Sequence, residues 1–224
     1  MMRKRYLVWI LLIILLMAGI FGTGMRAEAA VFPEEAEKEL LWFGDSRTVL
    51  MARTVYRYSP KKGVRPSTIL KKHVVARRGA AYGWANGGGY KELAKRLKSN
   101  PRRIVIFNFG VNDIGRGKDR RKSYLNLLKK IHKNYPEAGL YFMTVNPVRS
   151  GSRNPYAKTK DKAAYVNRRI RRFNTYIRDN LPEECGYIDT YSKLKFRYTD
   201  GLHYANRTYR DIAVYVIGKK KLAK

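Results

Sequence analysis

The chain has 224 residues, with 48 Lys+Arg against 17 Asp+Glu and a formal net charge of +31. That length suits one domain with a sizeable core, and the charge predicts anionic surroundings: nucleic acid, an anionic envelope polymer or a lipid surface. A single cysteine, Cys185, excludes an intrachain disulfide, and with three histidines it leaves no recognisable Cys/His zinc pattern, so neither metal nor cofactor is expected.

The N-terminus helps choose among those surroundings. Arg3, Lys4 and Arg5 precede an uncharged run over 7–21, and Ala27-Glu28-Ala29 supplies an A-x-A cleavage pattern. This is the layout of a secretory signal peptide. The run is short for a membrane span, which needs about 20 apolar residues; an uncleaved N-terminal anchor is the alternative. Residues 1–29 are therefore read as the signal segment and 30–224 as one domain. Cleavage would remove four basic residues and one acidic residue, leaving about +28 on the mature domain. Export without disulfides fits a Gram-positive-type envelope.

Residues 30–38 read as a short exposed lead-in. The apolar run 40–43 then stops abruptly at Gly44-Asp45-Ser46, and helix-compatible residues follow over 47–53. A buried parallel strand delivers a side chain to the carboxyl edge of a sheet in this way. At the start of a helix, N–H groups and the helix dipole favour negative charge beside Ser46, which suits a nucleophile whose attack creates an oxyanion. Residues 56–67, rich in basic residues with Pro and Gly, read as a loop. A second short strand spans 73–76, and Gly87-Gly88-Gly89 read as a flexible turn before a helix over 90–97.

The third strand is the clearest, a continuous apolar run over 103–109 that closes on Gly110-Val111-Asn112-Asp113. Tyr124, Leu127, Leu128, Ile131 and Tyr135 then recur at helical spacing. A fourth strand over 140–145 ends in turn chemistry at Asn146-Pro147. A basic loop, 149–162, leads to a helix marked by Val166, Ile170, Phe173, Ile177 and Leu181. A short fifth strand covers 187–189, and Tyr209, Ile212, Ala213 and Val216 mark a closing helix. Strands that are buried apolar runs, alternating with helices, predict an α/β fold: a three-layer α/β/α sandwich with a parallel, flavodoxin-like sheet of about five strands.

Of the three histidines, His73 sits at a strand start and His132 among lysines on a helix. His203 differs, because Asp200 lies three residues before it in a loop. That spacing lets a carboxylate bond one ring nitrogen while the other faces a nucleophile. Gly79 and Asn112 each follow a predicted strand, so both should emerge on the same sheet edge as Ser46. A glycine N–H and an Asn amide can both donate to an oxyanion. Taken singly, each fragment also reads as ordinary turn chemistry.

Taken in order, Gly44-Asp45-Ser46, Gly79, Gly110-Val111-Asn112-Asp113 and Asp200-Gly201-Leu202-His203 resemble the SGNH (GDSL-type) hydrolase superfamily. Val145-Asn146-Pro147-Val148, Asn167 with Phe173-Asn174, and Ile188-Asp189-Thr190-Tyr191 look like a small secreted, Gram-positive-type branch of it. The resemblance implies that Ser46 is the nucleophile, His203 the general base and then acid, and Asp200 its orienting partner. It implies an oxyanion hole of the Ser46 N–H, the Gly79 N–H and the Asn112 side chain. The Arg-Arg-Gly-Ala-Ala-Tyr-Gly-Trp block around Gly79 departs from the Asn-containing version common in the superfamily. No G-x-S-x-G elbow is present to support an α/β-hydrolase instead.

Tyr82 and Trp84 are candidate walls of an acyl or sugar pocket, since aromatic faces stack on both; core packing is the alternative. Asn146 is a third candidate wall. The expected activity is that of an exported serine esterase removing a short acyl group, acetyl above all, from a carbohydrate or cell-envelope glycopolymer. An O-acyltransferase of the same fold is the enzymatic alternative, and a cationic envelope-binding protein the non-enzymatic one. The expected partners are that acylated glycopolymer and an anionic wall polymer or membrane surface, engaged through diffuse charge. Nucleic acid is disfavoured by the export signal and the lack of a binding module.

Overall fold

A computed structural model describes residues 31–32, 34–55, 69–71 and 73–218. The signal-like segment 1–29 and the predicted loop 56–67 lie outside the described residues. The first strand, β1 (Leu40–Gly44), is buried at every position, as a central strand covered on both faces must be. It leads directly into α1 (Ser46–Val55). A short strand β2 (Ile69–Lys71) pairs antiparallel with β3 (Val74–Ala76). The chain continues through α2 (Tyr90–Ser99), β4 (Ile104–Asn108), the one-turn helix α3 (Val111–Gly115) and α4 (Arg121–Asn134). Then come β5 (Gly139–Met143), the long α5 (Lys160–Asn180), β6 (Cys185–Ile188) and α6 (Asn206–Ile217).

The strand order is β2-β3-β1-β4-β5-β6. Five of these strands run parallel, in flavodoxin-like order, and β2 adds an antiparallel edge. The parallel strands are the predicted five; β2 is an addition. Alternation along the strands divides the interior in two. Leu41, Phe43, Phe107, Leu140 and Phe142 face one side, against Leu93 of α2, Tyr124 and Leu128 of α4, and Ile170 and Phe173 of α5. Leu40, Trp42, Ile106 and Ile188 face the other, against Val49 and Ala52 of α1 and Ile212 and Val216 of α6. The three layers follow directly from that division.

The chain passes from β1 to β3 on one side, then returns to β4 on the other. Strand order therefore reverses between β1 and β4, and the loops beyond their carboxyl ends open a crevice. Ser46 follows β1 and Asn112 follows β4, so topology brings both to that crevice.

Two local expectations are corrected. The lead-in is not wholly exposed: Phe32 is buried, donates its N–H to the Val216 carbonyl at 2.8 Å, and meets the Tyr141 ring edge-on. A 3₁₀ helix, Glu34–Glu39, then carries the chain into β1. The three glycines are not a loose turn either. Residues 85–89 form π-type helix between the helical turn Tyr82–Trp84 and α2, with a kink at Gly87. The cause is Trp84, whose ring occupies the space where a Cβ at Gly89 would lie, 2.8 Å away. The backbone wraps the indole because no side chain intervenes.

Candidate active site

Ser46 is the first residue of α1, and the Asp45 carboxylate before it accepts the Arg47 N–H at 2.9 Å. This satisfies one of the donors that a helix start leaves free. Ser46 Oγ lies 2.9 Å from His203 Nε2, and His203 Nδ1 lies 2.8 Å from Asp200 Oδ2. The other Asp200 oxygen accepts the N–H groups of Leu202 (2.9 Å) and His203 (2.7 Å). A carboxylate facing Nδ1 favours a proton there and leaves Nε2 to accept from the serine hydroxyl. Burial tends to raise the Asp200 pKa, but the hydrogen bonds from the His203 ring and the His203 and Leu202 backbone outweigh it and hold the carboxyl below its usual range.

Asn112 is buried and bonded at both ends. Its Nδ2 donates to the Ala80 carbonyl at 2.7 Å, and its Oδ1 accepts from the Tyr156 hydroxyl at 2.8 Å. The first bond ties α3 to the loop that carries Gly79 and leaves one amide hydrogen for another acceptor. Gly79 has φ +67°, which L side chains rarely adopt. Among the described residues, no hydrogen bond uses the N–H of Ser46 or Gly79. The sheet edge thus carries two uncommitted backbone donors and an amide held in a fixed orientation.

Two buried carboxyl groups stand behind this edge. Asp113 accepts the Tyr82 N–H at 3.1 Å and the Tyr124 hydroxyl at 2.8 Å, fastening the Gly79 loop from below. Burial pushes Asp45 up to about 6, the nearby Asp113 charge adds to that, and the Arg47 charge and N–H oppose it.

Arg47 is one residue of the candidate site that sequence reasoning missed. It is 3% exposed, and its guanidinium donates to the carbonyls of Leu202 (3.1 Å), Asn146 (2.7 Å) and Pro147 (3.1 Å) while lying over the Tyr204 ring. It joins the serine helix to the histidine loop and to the turn after β5. Tyr156 was missed as well. In a chain with 48 Lys+Arg and 17 tyrosines, neither residue type singles out a position, and both act across long sequence separations.

The other predicted positions divide. Tyr82 and Trp84 line a recess of about 510 Å³ with Gly79, Asp113, Lys118 and Arg120. Trp84 also packs against Phe43 and Phe109, so it is core wall and recess wall together. Asn146 lies on the turn after β5. It is 3% exposed, its Oδ1 accepts from Thr190 Oγ1 at 2.8 Å, and it does not line that recess. Its side-chain oxygen and its backbone carbonyl, which accepts from Arg47, brace the turn. His73 bonds the Leu40 carbonyl at the far, amino end of β1, and His132 lies on α4.

The model of the GDSL-like lipase/acylhydrolase family matches residues 42–210, well over half of the chain. The chain belongs to that family. Membership places it among the acyl hydrolases and agrees with the resemblance read from its four motif blocks. No curated protein matches the chain significantly. Among solved structures, a putative platelet activating factor from Streptococcus pneumonia is similar with a TM-score of 0.54 at 17% identity, over 85% of this chain and 84% of that one. A putative acylhydrolase from Bacteroides fragilis gives 0.52 at 18% identity, covering 87% and 93%. The C-terminal domain of Drosophila Oskar gives 0.54 at 16%, covering 89% and 97%. At such identities the likeness is one of fold. This chain and Oskar thus share an architecture, and the chemistry rests on the side chains present.

Proposed function

We propose that this GDSL-like protein is an exported serine esterase that removes short acyl groups, acetyl above all, from carbohydrate or cell-envelope glycopolymers. The observation that carries the reading is the continuous Ser46–His203–Asp200 hydrogen-bonded chain at the reversal point of the sheet. In this reading Ser46 Oγ attacks the ester carbonyl as His203 Nε2 takes its proton. The tetrahedral oxyanion is met by the Ser46 and Gly79 N–H groups and the free Asn112 amide hydrogen. His203 then returns the proton to the departing alcohol, leaving an acyl-serine. Water, deprotonated by the same imidazole, releases the acid and restores the hydroxyl. Asp200 keeps the ring oriented and stabilises its charged form throughout.

Two features support the substrate class. The recess beside Gly79 is open and partly aromatic, as suits a sugar face with a small acyl group. The signal-like N-terminus supports action outside the cytoplasm, with the mature chain beginning near residue 30.

The test is labelling with a fluorophosphonate beside hydrolysis of p-nitrophenyl esters of graded chain length. Wild type should be labelled and should prefer acetate. Ser46→Ala should abolish labelling, and His203→Ala should lower turnover by several orders of magnitude on the precedent of such triads. Undiminished labelling of the Ser46→Ala protein would overturn the assignment.

A further inference from the structure

The recess beside Gly79 does not end there. Its wall residue Lys118 is shared with a second recess, of about 150 Å³, lined by Arg121, Arg169 and Arg172 between the segment before α4 and the face of α5. Arg121 and Arg172 are shared in turn with a third, of about 420 Å³, that continues along α5 past Tyr176 to Asn180. The three recesses thus lie in a row, each sharing wall residues with the next and leading away from the candidate active site. From Arg169 to Asn180 alone it follows about 16 Å of helix, at 1.5 Å per residue.

The acids along this track are already committed. Asp113 is buried and holds Tyr82 and Tyr124, Asp119 is held by Arg121 at 2.6 Å, and Asp179 is paired with Arg178 at 2.9 Å. Arg116, Lys118, Arg120 and Arg172 form no ion pair with a carboxylate among the described residues, and Arg169 acts on Asp119 only at longer range, beside the closer Arg121. These groups line adjoining hollows, the first of which holds Gly79. Rows of guanidinium groups are suited to oxyanions, which they can grip bidentately. Arg169 also lies over the ring of Tyr165, a tyrosine 50% exposed, which offers a sugar a stacking face beside the charge.

We infer that this track is an extended substrate subsite for a linear polyanionic glycopolymer, binding its oxyanions along α5 while an acylated residue sits at Ser46. The inference rests on the esterase reading for the position of the ester, and on the recesses alone for the polyanion. It replaces purely diffuse attraction with a route that has a start and a direction. The charges could belong to phosphodiesters or to uronate carboxylates, which share the recognising chemistry.

The experiment has a kinetic arm and a binding arm. In the first, kcat/KM is measured on acetylated polygalacturonate, acetylated poly(glycerol phosphate), acetylated neutral xylan and p-nitrophenyl acetate, for wild type and the double variant Arg169→Ala/Arg172→Ala. The readout is the ratio of each polymer to the small ester within one protein, so a general structural defect cancels. For at least one charged polymer that ratio should fall about tenfold in the variant and with rising salt, since exposed charges are screened beyond about 8 Å at physiological ionic strength. The ratio for xylan should hold. Which charged polymer responds identifies phosphodiester or carboxylate. An equal fall for xylan, or no fall for either charged polymer, overturns the inference.

In the binding arm, Ser46→Ala protein is titrated with unacetylated fluorescent polygalacturonate, unacetylated poly(glycerol phosphate) and poly(U). At least one of the two glycopolymer mimics should bind, and the Arg169→Ala/Arg172→Ala changes should weaken that binding. This holds even if no ester is hydrolysed, so failure of the esterase reading and failure of the track are separable. Binding of poly(U) tighter than both would assign the track to nucleic acid and overturn the glycopolymer.

Discussion

Replacing Arg47 should reveal how much of the site depends on one buried cation. The Arg47→Ala change removes the donors to three carbonyls, but the losses are unequal. Pro147 O keeps a second partner, the Tyr204 hydroxyl at 2.8 Å, whereas Leu202 O and Asn146 O have no other donor among the described residues. A buried acceptor left unsatisfied costs about 1–3 kcal/mol, so two cost roughly 2–6. Removing a buried charge recovers part of its desolvation penalty, which places the expected net loss near 3 kcal/mol. Against a total of about 5–15 kcal/mol the variant should still fold.

Urea unfolding followed by circular dichroism would show this as a midpoint lowered by about 1–3 M, given slopes of about 1–3 kcal/mol/M for small proteins. Turnover should fall further than stability suggests. Leu202 adjoins His203, and a misplacement of about 1 Å at a reacting group can cost roughly 10²-fold. KM on a small ester should change little. Lysine offers one compact ammonium in place of a planar fork, so Arg47→Lys should give intermediate losses in both measurements. A loss under about 1 kcal/mol with turnover intact would refute the reasoning, because three charged hydrogen bonds could not then be holding the loop.

Asn112→Ala should lower kcat about 10²–10³-fold with a smaller change in KM, as removal of an oxyanion donor does; a large rise in KM with kcat intact would assign Asn112 to ground-state binding. Tyr156→Phe leaves that amide in place but removes the bond at its Oδ1, so kcat should fall several-fold and less than for Asn112→Ala, and equal losses would contradict a purely positioning role. Asp45 should make stability depend on pH in the unusual direction for a carboxylate. Its folded pKa of about 6 lies above the unfolded value, so its contribution is fully present below about pH 3.9 and is lost as pH rises through 6, by about 3 kcal/mol. Asp200, lowered when folded, works the other way and loses its contribution only as pH falls below the usual carboxylate range. Measured by urea unfolding, the stability of wild type relative to Asp45→Asn should therefore decline between pH 4 and pH 7, and a flat difference would refute the buried-acid reading. Export predicts a chain beginning near residue 30 in the envelope fraction, released by high salt; recovery from the cytosol with residues 1–29 intact would reverse that reading.

The sequence by itself determined the elements whose signals are local. Buried strands announce themselves as apolar runs, and the run 103–109 matches the observed β4 to within a residue at either end. The order of strands and helices sufficed for the layers, because parallel strands need crossovers and those crossovers cover both faces. The motif blocks around Ser46, Asn112 and His203 were legible because each sits where a strand or loop ends in turn chemistry. Their convergence was a matter of topology, decided when strand order reversed between β1 and β4. Other features were not legible because their causes lie far along the chain. Gly89 joins a π-type helix because an indole five residues earlier fills its space, and Phe32 is buried because the end of α6 receives it. Arg47 reads as one cation among many until the fold surrounds it with carbonyls contributed by residues 146, 147 and 202. The basic track is likewise a tertiary property. Charge was countable from the sequence, but only the packing of α5 beside α3 and α4 aligns that charge with the edge that carries Ser46.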